Sequence, residues 1–157
     1  MKGDLWAWSI LLVVIALLSG TLPIEARENT STAVQTMSSD SIDSLLGKEV
    51  MNPKGARLAH IGGVLLSGNR IAYLVLNIAE ENGSWRCIPV PASLAVVRRS
   101  DNSVIVDLEK RTLSEAPAYP IQDRPDFADP EYNREIHSYY GESLPERDMD
   151  SYILIRR

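Results

Sequence analysis

The segment from Arg70 to Ala79 limits the possible folds of this chain more than any other feature, because both faces of the predicted strand are apolar. Successive side chains of a strand point to opposite sides. One face therefore carries Ile71, Tyr73 and Val75, and the other carries Ala72, Leu74, Leu76 and Ile78. A strand that is apolar on both faces must be covered on both. We expect a core on one side and a second covering element on the other.

Turn-forming residues divide the rest of the domain into short extended segments. Pro53 and Gly55 indicate a turn before a strand from Arg57 to Ser67, in which Gly62-Gly63 indicate a bulge or sharp bend. Gly68-Asn69 has the composition of a two-residue hairpin loop. Further strands are predicted over residues 84–90, 95–99 and 103–108. Several short strands at this spacing favour a small β-barrel or sandwich.

A C-terminal helix offers the second cover. Asp129 is a suitable N-cap, Pro130 fits the first helical position, and Gly141 is a suitable stop. Between them, four residues at i, i+4, i+7 and i+8 form one apolar and aromatic stripe: Tyr132, Ile136, Tyr139 and Tyr140. Such a stripe usually packs against a core. The alternative is that these four side chains form an interaction surface for a partner or ligand.

The first 26 residues resemble an export signal. Lys2 precedes an apolar run from Leu5 to Leu18, and Ala26 is a suitable residue for cleavage. A retained anchor is the alternative, because no charged residue occurs from Leu5 to Ile24, which is long enough for an apolar helix to span a bilayer. We expect an exported, periplasmic protein, or one anchored in the inner membrane and facing the periplasm.

The remaining segments follow from these boundaries. Residues 27–38 are polar without periodicity and are predicted to be a flexible spacer. Residues 39–118 form the predicted β domain, residues 119–141 an extension with a helix over 130–140, and residues 142–157 a tail. The expected fold is therefore mainly β, a small and highly bent barrel with an apolar N-terminal helix and a docked C-terminal helix.

The charged side chains and the single cysteine exclude some classes of function. Net charge is −5, from 16 basic and 21 acidic side chains that are evenly distributed, so no nucleic-acid partner is expected. Cys87 is the only cysteine, which rules out an internal disulfide. It lies in a strand-like run and is expected to be a small buried side chain.

No pattern of catalytic, cofactor-binding or metal-ligating residues is recognisable. His60 and His137 are the only histidines, and neither has a second ligand at the usual spacing. Four acidic residues that lie close together could bind Ca²⁺, but caps and turns explain them better: Asp123, Asp126, Asp129 and Glu131.

Several segments, taken in order, resemble the PRC-barrel family, the β-barrel type of the H subunit of photosynthetic reaction centres. The segments are Leu46–Val50, Pro53–Gly55, Ile71–Tyr73 and Ile88–Pro91, followed by Arg124–Tyr132 and Ser138–Gly141, as in bacterial stand-alone members. The sequence departs from the family in the short loop after Ala79 and in lacking a Trp at 91–94. The resemblance implies a bent barrel with a docked extension and a role in assembly rather than catalysis.

These observations predict a non-enzymatic envelope protein whose β domain is an interaction or assembly module in a membrane-associated complex. A protein partner is expected, and no cofactor. If the apolar N-terminus is the retained anchor of the two alternatives, it tethers the protein to the membrane. Two alternatives remain: a small-ligand carrier or sensor, and an enzyme that uses the carboxylates near Asp126.

Overall fold

The structure, a computed structural model, describes residues 31–34, 41–80, 82–98, 100–144 and 152–156. The predicted export segment lies outside these residues. Among those described, no helix is both long and apolar enough to span a bilayer. The described elements are β1 (Ser31–Ala33), β2 (Glu49–Met51), β3 (Arg57–Ser67), β4 (Arg70–Ala79), β5 (Trp85–Pro91), a 3₁₀ turn (Ala92–Leu94), β6 (Ala95–Arg98), β7 (Ser103–Val106), α1 (Lys110–Glu115), β8 (Tyr119–Pro120), α2 (Pro130–Tyr140) and β9 (Tyr152–Arg156).

The described strands belong to one mixed sheet, in the order β1-β6-β7-β2-β3-β4-β5-β8, with β9 paired to β3 off this path. β2 and β7 pair in parallel, and the other pairs are antiparallel. Within the described part of the chain, β1 and β8 end the path without pairing to each other, so the sheet is open. The predicted mainly β class is confirmed, whereas a closed barrel is not.

The main core fills the space that this sheet and α1 enclose. Its buried side chains come from strands β2 to β7, including Val50, Leu74, Ile88, Val97 and Val106. Leu113 of α1 is also completely buried there. Burial of such side chains contributes about 1.5–3 kcal/mol each. The main core therefore provides much of the stability of the domain.

β4 has apolar contacts on both faces, as the sequence predicts. Leu74 and Leu76 belong to the main core, whereas Tyr73 and Val75 belong to a second cluster. The prediction is wrong for Ile71, which packs in the main core, and for Ala72, which packs against the second cluster. The reason is a bulge: Leu65 pairs with Tyr73 and Leu66 with Ile71, so the extra residue Ala72 reverses the alternation.

Two short strands lie in segments that the sequence interpretation left without structure. The prediction of a flexible spacer is wrong for residues 31–33, where β1 pairs with the free edge of β6. Residues 152–156 of the predicted tail form β9, which pairs with β3 from Gly63 to Ser67. Both strands pair through backbone hydrogen bonds with the edge of another strand. Such pairing leaves no turn signal in the sequence, so neither strand was predicted.

Candidate functional site

α2 is built as predicted and lies against the sheet. Asp129 Oδ1 accepts a hydrogen bond of 2.9 Å from the Glu131 amide, and Gly141 ends the helix with a positive φ of 69°. Gly141 donates its amide hydrogen to the carbonyls of His137 and Ser138. These caps satisfy backbone groups at both helix ends. The two caps therefore set where the helix begins and ends.

The four residues of the predicted stripe face the protein interior to different extents. Ile136 is completely buried in the second cluster, and Tyr132, Tyr139 and Tyr140 are half-buried. The Tyr139 hydroxyl donates a hydrogen bond of 2.6 Å to the Thr112 carbonyl of α1. Tyr132 and Ile136 therefore cover the second face of the sheet, whereas Tyr139 packs against the main core and Tyr140 contacts both clusters. Little of the stripe is left for a partner while α2 is in this position.

The second cluster is an aromatic layer between α2 and the sheet, and its buried members are Leu65, Tyr73, Val75, Cys87, Tyr119, Phe127 and Ile136. The ring centroids of Phe127 and Tyr132 are 5.5 Å apart, and those of Tyr73 and His137 are 5.6 Å apart. Both pairs meet edge to face. Each such ring pair stabilises the fold by about 0.5–1.5 kcal/mol beyond the contribution of apolar burial. Phe127 lies before the helix, so the helical stripe gave no sign of its part in this layer.

Asn133 joins α2 to the sheet through a buried polar network. Tyr73 Oη donates to Asn133 Oδ1 at 2.6 Å, and Asn133 Nδ2 donates to the carbonyls of Phe127 at 2.5 Å and Asp129 at 3.0 Å. Burial raises the pKa of Tyr73 far above its ordinary value, so the phenol stays protonated and donates. Asn133 is completely buried. The sequence interpretation missed it because a polar residue at helical spacing usually faces solvent.

Three buried polar atoms beside this network have no hydrogen-bond partner among the described residues: Tyr132 Oη, Tyr140 Oη and His137 Nδ1. Burial raises the pKa of Tyr132 to about 12 and lowers the pKa of His137. A charge on His137 is therefore disfavoured while α2 is docked. His60, the other histidine, is exposed on β3.

A small cleft lies next to the aromatic layer, where β3 bulges. Ile61 pairs with Leu76 and Gly63 with Val75, so Gly62 is the extra residue. This confirms the bulge that the sequence predicts. A Cβ at Gly62 would lie 2.0 Å from Asn77 Nδ2, so only glycine leaves room for the Asn77 side chain in its present place. The bulge and Asn77 together form the floor of the cleft.

Cys87 completes the floor. It is paired with Asn77 across β4 and β5, and its Sγ donates to Asn77 Oδ1 at 3.5 Å. Its side chain is 3% exposed, which confirms the expected buried position. Burial raises the pKa of the thiol, and the weaker opposing effect comes from Arg156. The thiol is therefore protonated at neutral pH, a poor nucleophile and a hydrogen-bond donor.

The walls of the cleft carry positive charge. Arg124, from the loop after β8, and Arg156, from β9, line it together with Tyr119 and Ile121. Within the described residues neither guanidinium forms an ion pair, and none of the lining residues is acidic. The enclosed volume is about 40 Å³. We call this site the arginine cleft.

An exposed apolar pair adjoins the arginine cleft. Trp85 at the start of β5 is 47% exposed, and Ile121 at the cleft wall is 37% exposed. β5 and β8 pair Arg86 with Pro120 and Cys87 with Tyr119, so Trp85 and Ile121 both come directly beyond the Arg86–Pro120 pair, at the same end of the ladder. By alternation along β5, Trp85 lies on the face that carries Cys87.

The other candidate sites from the sequence take structural roles or remain dispersed. The Asp126 carboxylate accepts from the Ala128 amide at 2.9 Å, and Asp129 caps α2. Among the described residues, no group of three His, Cys, Asp or Glu side chains is placed to hold a metal ion. An open groove of about 390 Å³ between α1 and α2 has Glu115 and Glu135 on its walls. It brings together no pair of catalytic groups predicted from the sequence.

Neither a scan of protein-family models nor a search of curated proteins finds a match to this chain.

Proposed function

We propose that this protein is a non-enzymatic, exported protein whose β domain is a PRC-type barrel that acts as an interaction or assembly module. The observation that carries the proposal is the exposed pair Trp85 and Ile121 beside the arginine cleft. Tryptophan is the residue type most enriched among the side chains that dominate binding energy. On this sheet face the neighbouring apolar side chains are buried, so the pair is available to a partner.

The filled core beside the sheet supports the barrel type. Leu74 and Leu76 of β4 and Val90 of β5 are completely buried in the main core. A small barrel is normally filled by its own side chains rather than by a ligand. This favours action through the outer surface over the alternative of an internal carrier site.

The occupant that fits this surface is a protein segment with acidic residues. The apolar pair offers area for an apolar side chain. Next to it, Arg124 and Arg156 offer two positive charges that form no ion pair with another described residue. Complementary charge fixes the orientation of a partner and speeds its association. A membrane-associated complex is the setting that the apolar segment from Leu5 to Leu18 supports.

Affinity purification from membranes after mild crosslinking tests the proposal. The full chain is compared with Trp85→Ala and with the control Ile153→Ala, which removes an even more exposed apolar side chain, 61% accessible, on β9. We expect one crosslinked partner that is lost with Trp85→Ala, kept with Ile153→Ala, and bound again as a purified protein. Equal recovery with all three chains would contradict an interaction at Trp85.

Export is tested separately. Residues 1–38 fused to a reporter that is active only outside the cytoplasm should give a signal. A silent reporter with normal expression would contradict the location while leaving the interaction surface unaffected.

A further inference from the structure

We infer that the arginine cleft binds a carboxylate group of the protein partner, and this inference rests on the proposed function. Four donor groups line one small space: the guanidinium groups of Arg124 and Arg156, the Tyr119 phenol and the Asn77 amide nitrogen. No acidic side chain is among the described lining residues. Two positive charges beside two neutral donors favour an anionic group that accepts hydrogen bonds.

The floor of the cleft is arranged to present donors. The Cys87 thiol donates to Asn77 Oδ1, which directs the carboxamide so that its nitrogen faces away from Cys87. That nitrogen carries two hydrogens that can be donated. Because Gly62 has no side chain, it leaves the carboxamide in this place. The buried, protonated thiol is thus a positioning group for Asn77 and takes no part in covalent chemistry.

The size of the cleft identifies which part of the partner enters. The cleft measures about 40 Å³, far less than the roughly 300–1,000 Å³ of pockets that enclose a whole small molecule. A small end group of the ligand, such as a carboxylate, therefore enters the cleft, and a complete metabolite does not. The rest of the ligand must lie outside, over Ile121 and Trp85. Inorganic phosphate has no apolar neighbour that could contact Ile121 and Trp85. We therefore assign the cleft to a chain-terminal or side-chain carboxylate next to an apolar residue.

The two arginines come from separate segments, so binding also joins those segments. Arg124 follows β8, which pairs with β5, and Arg156 lies on β9, which pairs with β3. A carboxylate accepts hydrogen bonds on both oxygens and can bridge two guanidinium groups. Each arginine then contributes to affinity, and removal of either leaves the other in place.

The experiment uses ¹⁵N-labelled full chain in detergent micelles and the probe N-acetyl-leucine, whose carboxylate adjoins an apolar side chain. N-acetyl-leucinamide is the control probe, since it has the same apolar group without the charge. We expect saturable amide shifts at Gly62, Gly63 and Asn77 with the acid and none with the amide. Inorganic phosphate at the same concentration is expected to produce no saturable shift.

Variants then assign the binding to the two arginines. Arg124→Gln and Arg156→Gln should each weaken binding of N-acetyl-leucine at least about tenfold. Arg70→Gln, at an exposed arginine that begins β4, is the matched control and should bind as the parent does. Both tested arginines are exposed, so the variants keep the core, and an unchanged melting temperature verifies this.

The outcomes separate this inference from the proposed function. Three results would overturn the carboxylate site. The first is equal shifts with N-acetyl-leucine and N-acetyl-leucinamide, and the second is unaltered binding by both glutamine variants. The third is saturable binding of phosphate instead of the acid. If the partner is still captured through Trp85 in those cases, the interaction module stands and only the ligand chemistry is wrong. If the acid binds as predicted but Trp85→Ala captures the partner unchanged, the cleft stands and the docking surface is wrong.

Discussion

The phenol of Tyr73 on β4 and the carboxamide of Asn133 on α2 are joined by a buried hydrogen bond of 2.6 Å between residues sixty positions apart. Asn133 Nδ2 in turn donates to the backbone at the start of α2. One side chain therefore ties the docked helix both to the sheet and to its own first turn. The position of α2 depends on this polar link as well as on apolar contact.

Tyr73→Phe removes the donor and leaves Asn133 Oδ1 buried without it. An unsatisfied buried polar group costs about 1–3 kcal/mol, so we expect a loss of that size in the free energy of unfolding. Urea denaturation of the full chain measures it. Arg134→Ala, at an exposed position on α2, is the control and should change stability by less than about 0.5 kcal/mol. Equal effects of the two substitutions would show that the bond does not anchor α2.

Ile136→Asp tests whether α2 is a cover for the sheet. Ile136 is completely buried in the second cluster, so the substitution removes apolar burial and introduces an unpaired carboxylate there. We expect a loss of more than about 3 kcal/mol together with self-association through the uncovered aromatic layer. Thermal melting and sedimentation measure the two effects. Truncation at Pro120, which removes α2 and β9, should act in the same direction; a monomeric and equally stable truncated domain would contradict the cover.

Gly62→Ala tests the floor of the arginine cleft. The new Cβ would meet Asn77 Nδ2 at 2.0 Å and force the carboxamide aside. We expect a loss of about 1–3 kcal/mol, as for other overpacked sites. Asn77→Ala in the same chain should recover most of it, because the collision disappears. If the two substitutions add without coupling in a double-mutant cycle, the close approach does not determine the conformation of the bulge.

His137 makes the docking of α2 sensitive to pH. Its pKa is lowered from the ordinary value of 6.5 mainly by burial, which outweighs the opposite effects of a hydrogen bond with the Ser143 backbone and of the Glu142 charge. The unfolded chain therefore takes up the proton first, so stability is complete above about pH 6.5 and falls as the pH drops below it. His137→Gln should reduce the fall in the free energy of unfolding between pH 7 and pH 5, measured by urea denaturation. His60→Gln, at an exposed site, should leave that fall unchanged. If the pH dependence of stability is unchanged in His137→Gln, other groups are responsible for it.

The sequence predicts those elements whose signals are local. The bounds of β4 follow from its alternation and from the flanking turns, and those of α2 from Asp129 and Gly141. β9 escapes prediction because its pairing partner, β3, lies some ninety residues earlier and no local pattern encodes that contact. Ile71 is misplaced because a bulge at Ala72 reverses the faces, and bulges without glycine have no clear sequence signal.

The same distinction explains the candidate site. The aromatic stripe of α2 could be read from spacing alone, but spacing does not say what it packs against. The arginine cleft could not be predicted, since Asn77, Arg124 and Arg156 come from β4, a loop and β9 and meet only in the folded chain. The unusual exposure of Trp85 also depends on tertiary structure, because its strand neighbour on the same face, Cys87, is buried.

The central claim is that a partner docks on the face formed by Trp85, Ile121 and the arginine cleft, and site-specific photocrosslinking in intact cells tests it most directly. A photoreactive amino acid is placed at Ile121, and a control at Asn69 in the exposed β3–β4 turn. We predict one discrete adduct from position 121, none from position 69, and loss of the adduct in a Trp85→Ala background. The same adducts from both positions, or an adduct from position 121 that persists with Trp85→Ala, would contradict it.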